Sequence, residues 1–260
     1  MNAYEKVCEA RKGTRPMGKF YINEILDSFI ELHGDRRYAD DKAIMAGVGE
    51  IDSMPVTVIA MERGDSLSER MERKFGCPAP EGYRKALRLM KQAEKFKRPV
   101  LCFIGSSGAY CGIDAEERGQ GQAIAENLTE MMTLKTPIIS IVVGEGGSGG
   151  ALALGVADRV FMLENSVYSV ISPEGCASIL WKDKKNAPEA AEHLHLTAQD
   201  LLKFGIVEKI IREEGKTKEE IAQDLKIEIL SELLKLKALS AYEMTNMRYN
   251  RFRSLGKISK

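Results

Sequence analysis

Three short apolar runs separated by amphipathic helical patterns predict an α/β fold built on a parallel sheet. The runs PVTVIAM (55 to 61), VLCFIG (100 to 105) and IISIVVG (138 to 144) are continuously apolar and rich in β-branched residues, as strands buried on both faces are. Strand, helix, strand, helix in alternation implies parallel pairing through right-handed crossovers.

In chain order, Pro78 and Pro80 precede EGYRKALRLMKQAEKFK, where Ala86, Leu89, Met90, Ala93 and Phe96 form one apolar stripe of a helix. A second helix is expected over AEERGQGQAIAENLTEMMTL (115 to 134), with Ile124, Leu128, Met131 and Met132 facing one way. The third strand should end at Gly144 and a helix begin near Gly150; a strand at 160 to 163 and the β-like SVYSVI follow. Lys216 to Leu239 is charged and helical, with Ile221, Leu225, Ile229 and Leu233 at i, i+4 spacing. It reads as a helix packed on its own core, with a subunit contact as the alternative. No low-complexity hinge divides the chain, so one domain is expected over 1 to 260. Its core spans about 30 to 212, with helical extensions at the N-terminus and over 213 to 260.

Composition limits the function classes. Thirty-eight basic and 38 acidic residues cancel, so no bulk field favours nucleic acid or an anionic membrane. Cys8, Cys77, Cys102, Cys111 and Cys176 are scattered without a C-x-x-C spacing, against a disulfide framework or zinc knuckle. MNAYEKVCEARKGTRP lacks the apolar segment of an export signal, and no stretch approaches a membrane span. A soluble, cytoplasmic protein without a structural metal is expected.

The densest chemical signal is VVGEGGSGGALALGVADRV, which fits three motifs. As G-x-G-x-x-G it is Gly144, Gly146 and Gly149 with Glu164 as the ribose acid, yet Glu145 would put a carboxylate in the pyrophosphate loop. As G-x-S-x-G it is Gly146, Ser148 and Gly150 with His193 and His195 downstream, yet both histidines fall in helical sequence. The Walker pattern fails, because no Lys-Ser or Lys-Thr follows the glycines. As an oxyanion site, the glycines admit close backbone approach and the first helical turn leaves N–H groups unpaired. Losing one such donor typically costs on the order of 3 kcal/mol of transition-state stabilisation, so the loop needs no acidic side chain. CFIGSSGAYCGIDAEERG repeats the grammar, so two loops could offer donors to one cleft. Tight connections without chemistry remain the plain alternative for either loop.

With these motifs in place the chain resembles the carboxyltransferase alpha subunit of bacterial acetyl-CoA carboxylase across nearly its whole length. The resemblance is carried by HGDRRYADDKAI (33 to 44), FGCPAPEGYRKALRLMKQAEKF (75 to 96), GAYCGIDAEERGQGQAIAENL (108 to 128), GEGGSGGALALGVAD (144 to 158) and YSVISPEGCASILWK (168 to 182). It implies a crotonase-like (ClpP/crotonase) spiral of ββα units and a beta-subunit partner in an α2β2 assembly, with the family's zinc ribbon on that partner. It implies biotin on a separate biotin carboxyl carrier protein, and carboxyl transfer to acetyl-CoA or a related acyl-CoA to give malonyl-CoA. By position, the N–H groups of Gly149 and Gly150 would hold the biotin ureido oxygen, and Gly108 and Ala109 would line the facing wall. Gly105, Ser106, Ser107, Tyr110, Glu116 and Arg118 are the candidates for substrate contact, Glu116 and Arg118 with a helix-capping and ion-pair alternative.

Three departures stand out against the resemblance. Gly105, Ser106 and Ser107 replace the family's usual Asp-Thr-Pro, which points to a looser acyl pocket. Glu62 and Asp65 bring acid to a strand end that is usually basic, and IREEGKTKEE (211 to 220) replaces a Pro-Glu-Pro-Leu-Gly-Gly-Ala-His segment. The competing expectations are a non-catalytic subunit of the same fold, and a biotin-independent crotonase-fold decarboxylase or hydratase.

Overall fold

The computed structural model describes residues 1–256; positions 257–260 of the expected C-terminal extension lie outside the described residues. Among the described residues eight strands form one sheet: β1 (Ser28–Glu31), β2 (Ile44–Ile51), β3 (Met54–Met61), β4 (Val100–Ser106), β5 (Ile138–Gly147), β6 (Arg159–Leu163), β7 (Val167–Ser169) and β8 (Lys209–Ile211). Their order is β1-β2-β3-β4-β5-β6-β8, with β7 paired to the far end of β5. The first three strands are antiparallel, while β3, β4, β5, β6 and β8 run parallel as expected.

Twelve helices surround the sheet among the described residues. They are α1 (Ala3–Arg11), α2 (Gly18–Ile25), α3 (Leu67–Glu72), α4 (Pro80–Lys95), α5 (Ile113–Glu117), α6 (Gln120–Thr133), α7 (Ser148–Leu152), α8 (Pro173–Leu180), α9 (Ala187–Leu194), α10 (Ala198–Lys203), α11 (Lys218–Lys237) and α12 (Ala241–Ser254). Alternation along β4 sends Cys102 and Ile104 to one core, with Tyr83, Ala86, Leu89 and Met90 of α4. Leu101 and Phe103 go to the other, with Tyr21 and Ile22 of α2 and Leu225 and Ile229 of α11. Both faces of the central strands are therefore covered, which is why they read as unbroken apolar runs. Ile221, Leu225, Ile229 and Leu233 of α11 all bury on this sheet, so that helix packs on its own core.

Several local expectations are corrected. The helix expected over 115–134 is two helices, because Gly119 adopts a left-handed φ of 81° between α5 and α6. The strand expected to end at Gly144 continues to Gly147, because β7 supplies backbone partners to Glu145, Gly146 and Gly147. The following helix starts at Ser148 rather than Gly150. β1 and β2 carry no clear apolar signal, since Gly47 and Gly49 are there for close approach. A β-carbon on them would stand 2.0 Å from the Ile30 carbonyl and 2.5 Å from the Ser28 carbonyl.

Candidate active site

The site lies at the carboxyl ends of β4 and β5, where parallel α/β sheets place their ligands. Beyond Ile104 the pairing of these strands shifts register and resumes at Ser106 opposite Gly146. The two small-residue loops then meet directly. A β-carbon on Gly147 would stand 2.0 Å from the Ser107 carbonyl oxygen, and one on Gly150 would stand 2.4 Å from the Ala109 nitrogen. Glycine at these positions is what allows the backbones to touch. Gly149 faces the other way: a β-carbon there would meet only Ile124 Cγ2 at 3.8 Å, and at Gly108, with φ 155°, nothing within 4 Å.

Side chains fix both loops. The Ser106 hydroxyl donates to the Gly108 carbonyl at 2.7 Å and accepts from the Gly108 N–H at 3.2 Å, closing the β4 loop on itself. Tyr83 donates to the Gly150 carbonyl at 3.2 Å, and burial pushes its phenol well above the ordinary range, so it remains a donor. Beside Gly149 opens a largely apolar cavity of about 350 Å³, lined by Ser148, Leu152, Tyr168, Val170, Leu201 and Ile206 among others. Burial pushes the Tyr168 phenol up to about 12.

The remaining candidates are placed less centrally. Gly105 is buried with its missing side chain aimed at Met17 Cε, 2.5 Å from an added β-carbon. It reaches the cleft through its backbone alone. Ser107 is exposed at the rim, its hydroxyl 3.5 Å from Cys77 Sγ. Tyr110 is held by its N–H to Pro78 and its carbonyl to Gln120. Arg118 donates to the buried Glu81 at 2.8 Å and to Asp114 at 3.2 Å, which keeps its guanidinium firmly protonated. That is the ion-pair alternative; Glu116 is exposed on α5.

The roles of two carboxylates were not visible in the sequence. Glu62, one of the departures, is buried and accepts from the Lys19 and Gly64 N–H groups at 2.8 Å each. Its acid caps the start of α2 and a turn rather than meeting a ligand. Glu145 accepts from Arg11 at 2.7 and 3.0 Å, which explains a carboxylate among glycines. The pair is 134 residues apart in the chain, so no local signal could reveal it.

The rival motifs lose their partners. Glu164 accepts from the Glu213 and Glu214 N–H groups at 2.9 and 3.2 Å, a turn contact in place of a ribose acid. His193 and His195 are exposed near Glu189 and Asp200, and neither lines the cavities that Ser148 borders. Among the described residues no cluster of three or more His, Cys, Asp or Glu could hold a metal ion. No described helix is long and apolar enough to cross a membrane.

Residues 1–256 match the profile of the family described as "Acetyl co-enzyme A carboxylase carboxyltransferase-like". The chain is 58% identical over 259 residues to the "Acetyl-coenzyme A carboxylase carboxyl transferase subunit alpha" of Ruminiclostridium cellulolyticum, covering 100% of both chains. It is 51% identical to the "subunits beta/alpha" protein of Clostridium tetani, covering 98% of this chain and 45% of that one. Among solved structures, transcarboxylase 12S superposes with a TM-score of 0.69 at 18% identity, over 99% of this chain and 46% of that one. The last likeness shows the shared crotonase fold, a parallel-rich sheet wrapped by helices. From the full-length profile match and the identity to curated alpha subunits, the chain belongs to the acetyl-CoA carboxylase carboxyltransferase family as an alpha-type subunit.

Proposed function

We propose that this alpha-type carboxyltransferase subunit works with a beta-type partner in an α2β2 assembly. Together they move the carboxyl group of biotin on a biotin carboxyl carrier protein to acetyl-CoA, or a related acyl-CoA, giving malonyl-CoA. The carrying observation is the packing of the 144–150 loop on the 105–109 loop, with space left open at Gly149 and Gly108. A relative that carries beta and alpha segments in one polypeptide supports the beta partner. The chain is taken as one domain over 1–260, since α2 and α11 bury on the same sheet face.

The residues present suit a flat bicyclic ring with a polar oxygen: a glycine cradle that a β-carbon would partly fill, beside an apolar cavity. When bound, biotin supplies the carboxyl group and the base left by its release. The chain's own part is to hold charge. The N–H groups of Gly149 and Gly150, in the first turn of α7 and without intrahelical acceptors, are assigned to the ureido oxygen as negative charge develops on it. Tyr83 fixes the Gly150 carbonyl and so the tilt of that peptide. Gly108 and Ala109 form the facing wall, Ser106 holds that wall in shape, and Ser107 and Tyr110 border its rim. Leu152, Val170 and Ile206 line the apolar side.

The test is malonyl-CoA-dependent carboxylation of free biotin by the chain purified with its beta partner. Exchange that requires both chains supports the reading. No exchange with any acyl-CoA overturns it, and turnover by the isolated chain without biotin points to a decarboxylase or hydratase.

A further inference from the structure

We propose that Arg11 is a positioning residue for carboxyl transfer: by bridging Glu145 and Glu174 it sets the separation between the glycine loop and the Val170–Ser172 segment that lines the adjoining cavities. The inference rests on the reading above and names a residue outside the loops themselves. Between Val143 and Ser148 the chain reads Gly144, Glu145, Gly146, Gly147. Glu145 therefore carries the one side chain by which the rest of the protein can hold this stretch laterally.

Arg11 takes that handle with Nε and Nη2, both on Glu145 Oε1 at 3.0 and 2.7 Å. Its Nη1 and Nη2 reach Glu174 Oε1 and Oε2 at 2.8 and 3.3 Å. Glu174 lies in the first turn of α8, one residue beyond the segment Val170, Ile171 and Ser172, with Pro173 between. One planar guanidinium thus spans from the glycine loop to the start of α8, a task suited to its rigid fork. Between the two segments lies a cavity of about 50 Å³ bordered by Ser107, Glu145, Gly146, Gly147, Ile171 and Ser172.

The bridge is not what docks α1. Ala3, Val7 and Ala10 already bury against Val167, Ala191 and Leu196. Arg63 donates to the carbonyls of Arg11, Lys12 and Arg15 at the end of the helix. With the helix held by these contacts, the half-exposed ion pairs are left to fix distance. Burial disfavours ionisation of Glu174, yet the hydrogen bonds and charge of Arg11, a backbone N–H and Tyr4 together hold its carboxyl below the usual range. Tyr4, seven residues before Arg11, adds a hydrogen bond to Glu174 at 3.2 Å.

The experiment compares Arg11→Met, Arg11→Lys, Glu145→Gln and the double variant R11M/E145Q in the assembly with the beta partner. Lys12→Ala, whose ammonium pairs with Glu9, is the control. R11M is expected to lower kcat by about 10- to 100-fold with KM for the acyl-CoA within about twofold, because misplaced donors cost rate. R11K should recover part of kcat, R11M/E145Q should be no slower than R11M alone, and K12A should match wild type. Unchanged kcat in R11M, or losses that multiply in the double variant, would overturn the inference while an active wild type leaves the functional reading standing. An inactive wild type overturns the functional reading itself. If R11M does not assemble, R11K carries the test: kcat equal to wild type counts against the inference, and a selective kcat loss supports it.

Discussion

The α-carbon of Gly147 lies so close to Ser107 that a β-carbon on it would stand 2.0 Å from the Ser107 carbonyl oxygen. The obstructing atom is backbone and cannot swing aside. Gly147→Ala, and Gly150→Ala against the Ala109 nitrogen at 2.4 Å, should push the two loops apart. Each is expected to cost about 1–3 kcal/mol by overpacking, read by urea denaturation, and to abolish measurable exchange. Wild-type stability in either variant would show that the loops do not pack in this way.

The β4 loop separates two effects that Asp-Thr-Pro in the family joins. Ser106→Ala removes the hydroxyl that ties Gly108 at 2.7 Å and should cost about 1 kcal/mol with a fall in kcat, whereas Ser106→Thr keeps both. Gly105→Asp would bury a carboxylate against Met17 and Val143, so it should lower Tm without altering relative kcat/KM across acyl-CoAs. Any change in acyl preference belongs to Ser107→Pro at the exposed rim. A preference shift in Gly105→Asp alone would contradict this assignment.

Arg248 and Asp158 form a fully buried pair, with 0% exposure on each side chain and contacts of 2.8 and 2.9 Å. Arg248 also donates to the carbonyls of Met131, Leu134 and Thr136, so it clamps α12 to the core beneath α6. Arg248→Met leaves the buried Asp158 carboxylate without its cation, with the Ile138 N–H still bonded to it, and removes a donor from three carbonyls; it should cost about 3–5 kcal/mol. Chemical denaturation measures it; a loss below about 1 kcal/mol would mean that α12 is not docked through this clamp.

Acid should weaken the fold through Asp40. Burial raises its pKa, but hydrogen bonds from Lys85 and the Gly34 N–H outweigh this and bring it down to about 2. Because the folded value lies below the unfolded one of 3.8, its contribution is full above about pH 4 and fades as the pH falls toward 2. Asp40→Asn should therefore be less stable than wild type at pH 7, and the difference should shrink through that window. A difference independent of pH would rule out this linkage.

Much of the architecture is legible because buried parallel strands advertise themselves. Val100 to Ile104 and Ile138 to Val143 are apolar on both faces, and the helix stripe through Ala86, Leu89 and Met90 is regular. The paired loops were legible as repeated grammar, although their direct contact depends on a register shift at Gly105 that no spacing encodes. β1 and β2 were silent because Gly47 and Gly49 trade side chains for close approach. Glu62 was legible only as acid at a strand end that is usually basic; its task as acceptor for the Lys19 and Gly64 N–H groups is set by the folded chain. Arg11 with Glu145, and Arg248 with Asp158, are long-range partners that only the folded chain brings together.

Gly149 tests the central claim most directly. A side chain there enters open space, with Ile124 Cγ2 at 3.8 Å as its nearest neighbour, so Gly149→Val should fold and assemble with the beta subunit. The measurement is malonyl-CoA-dependent carboxylation of biotin by that assembly, alongside its native mass and Tm. The account predicts an intact complex whose exchange rate falls at least about 100-fold, because the side chain fills the space from which the ureido oxygen would reach the Gly149 N–H, at a cost like that of losing an oxyanion donor. An intact complex with wild-type exchange would contradict it.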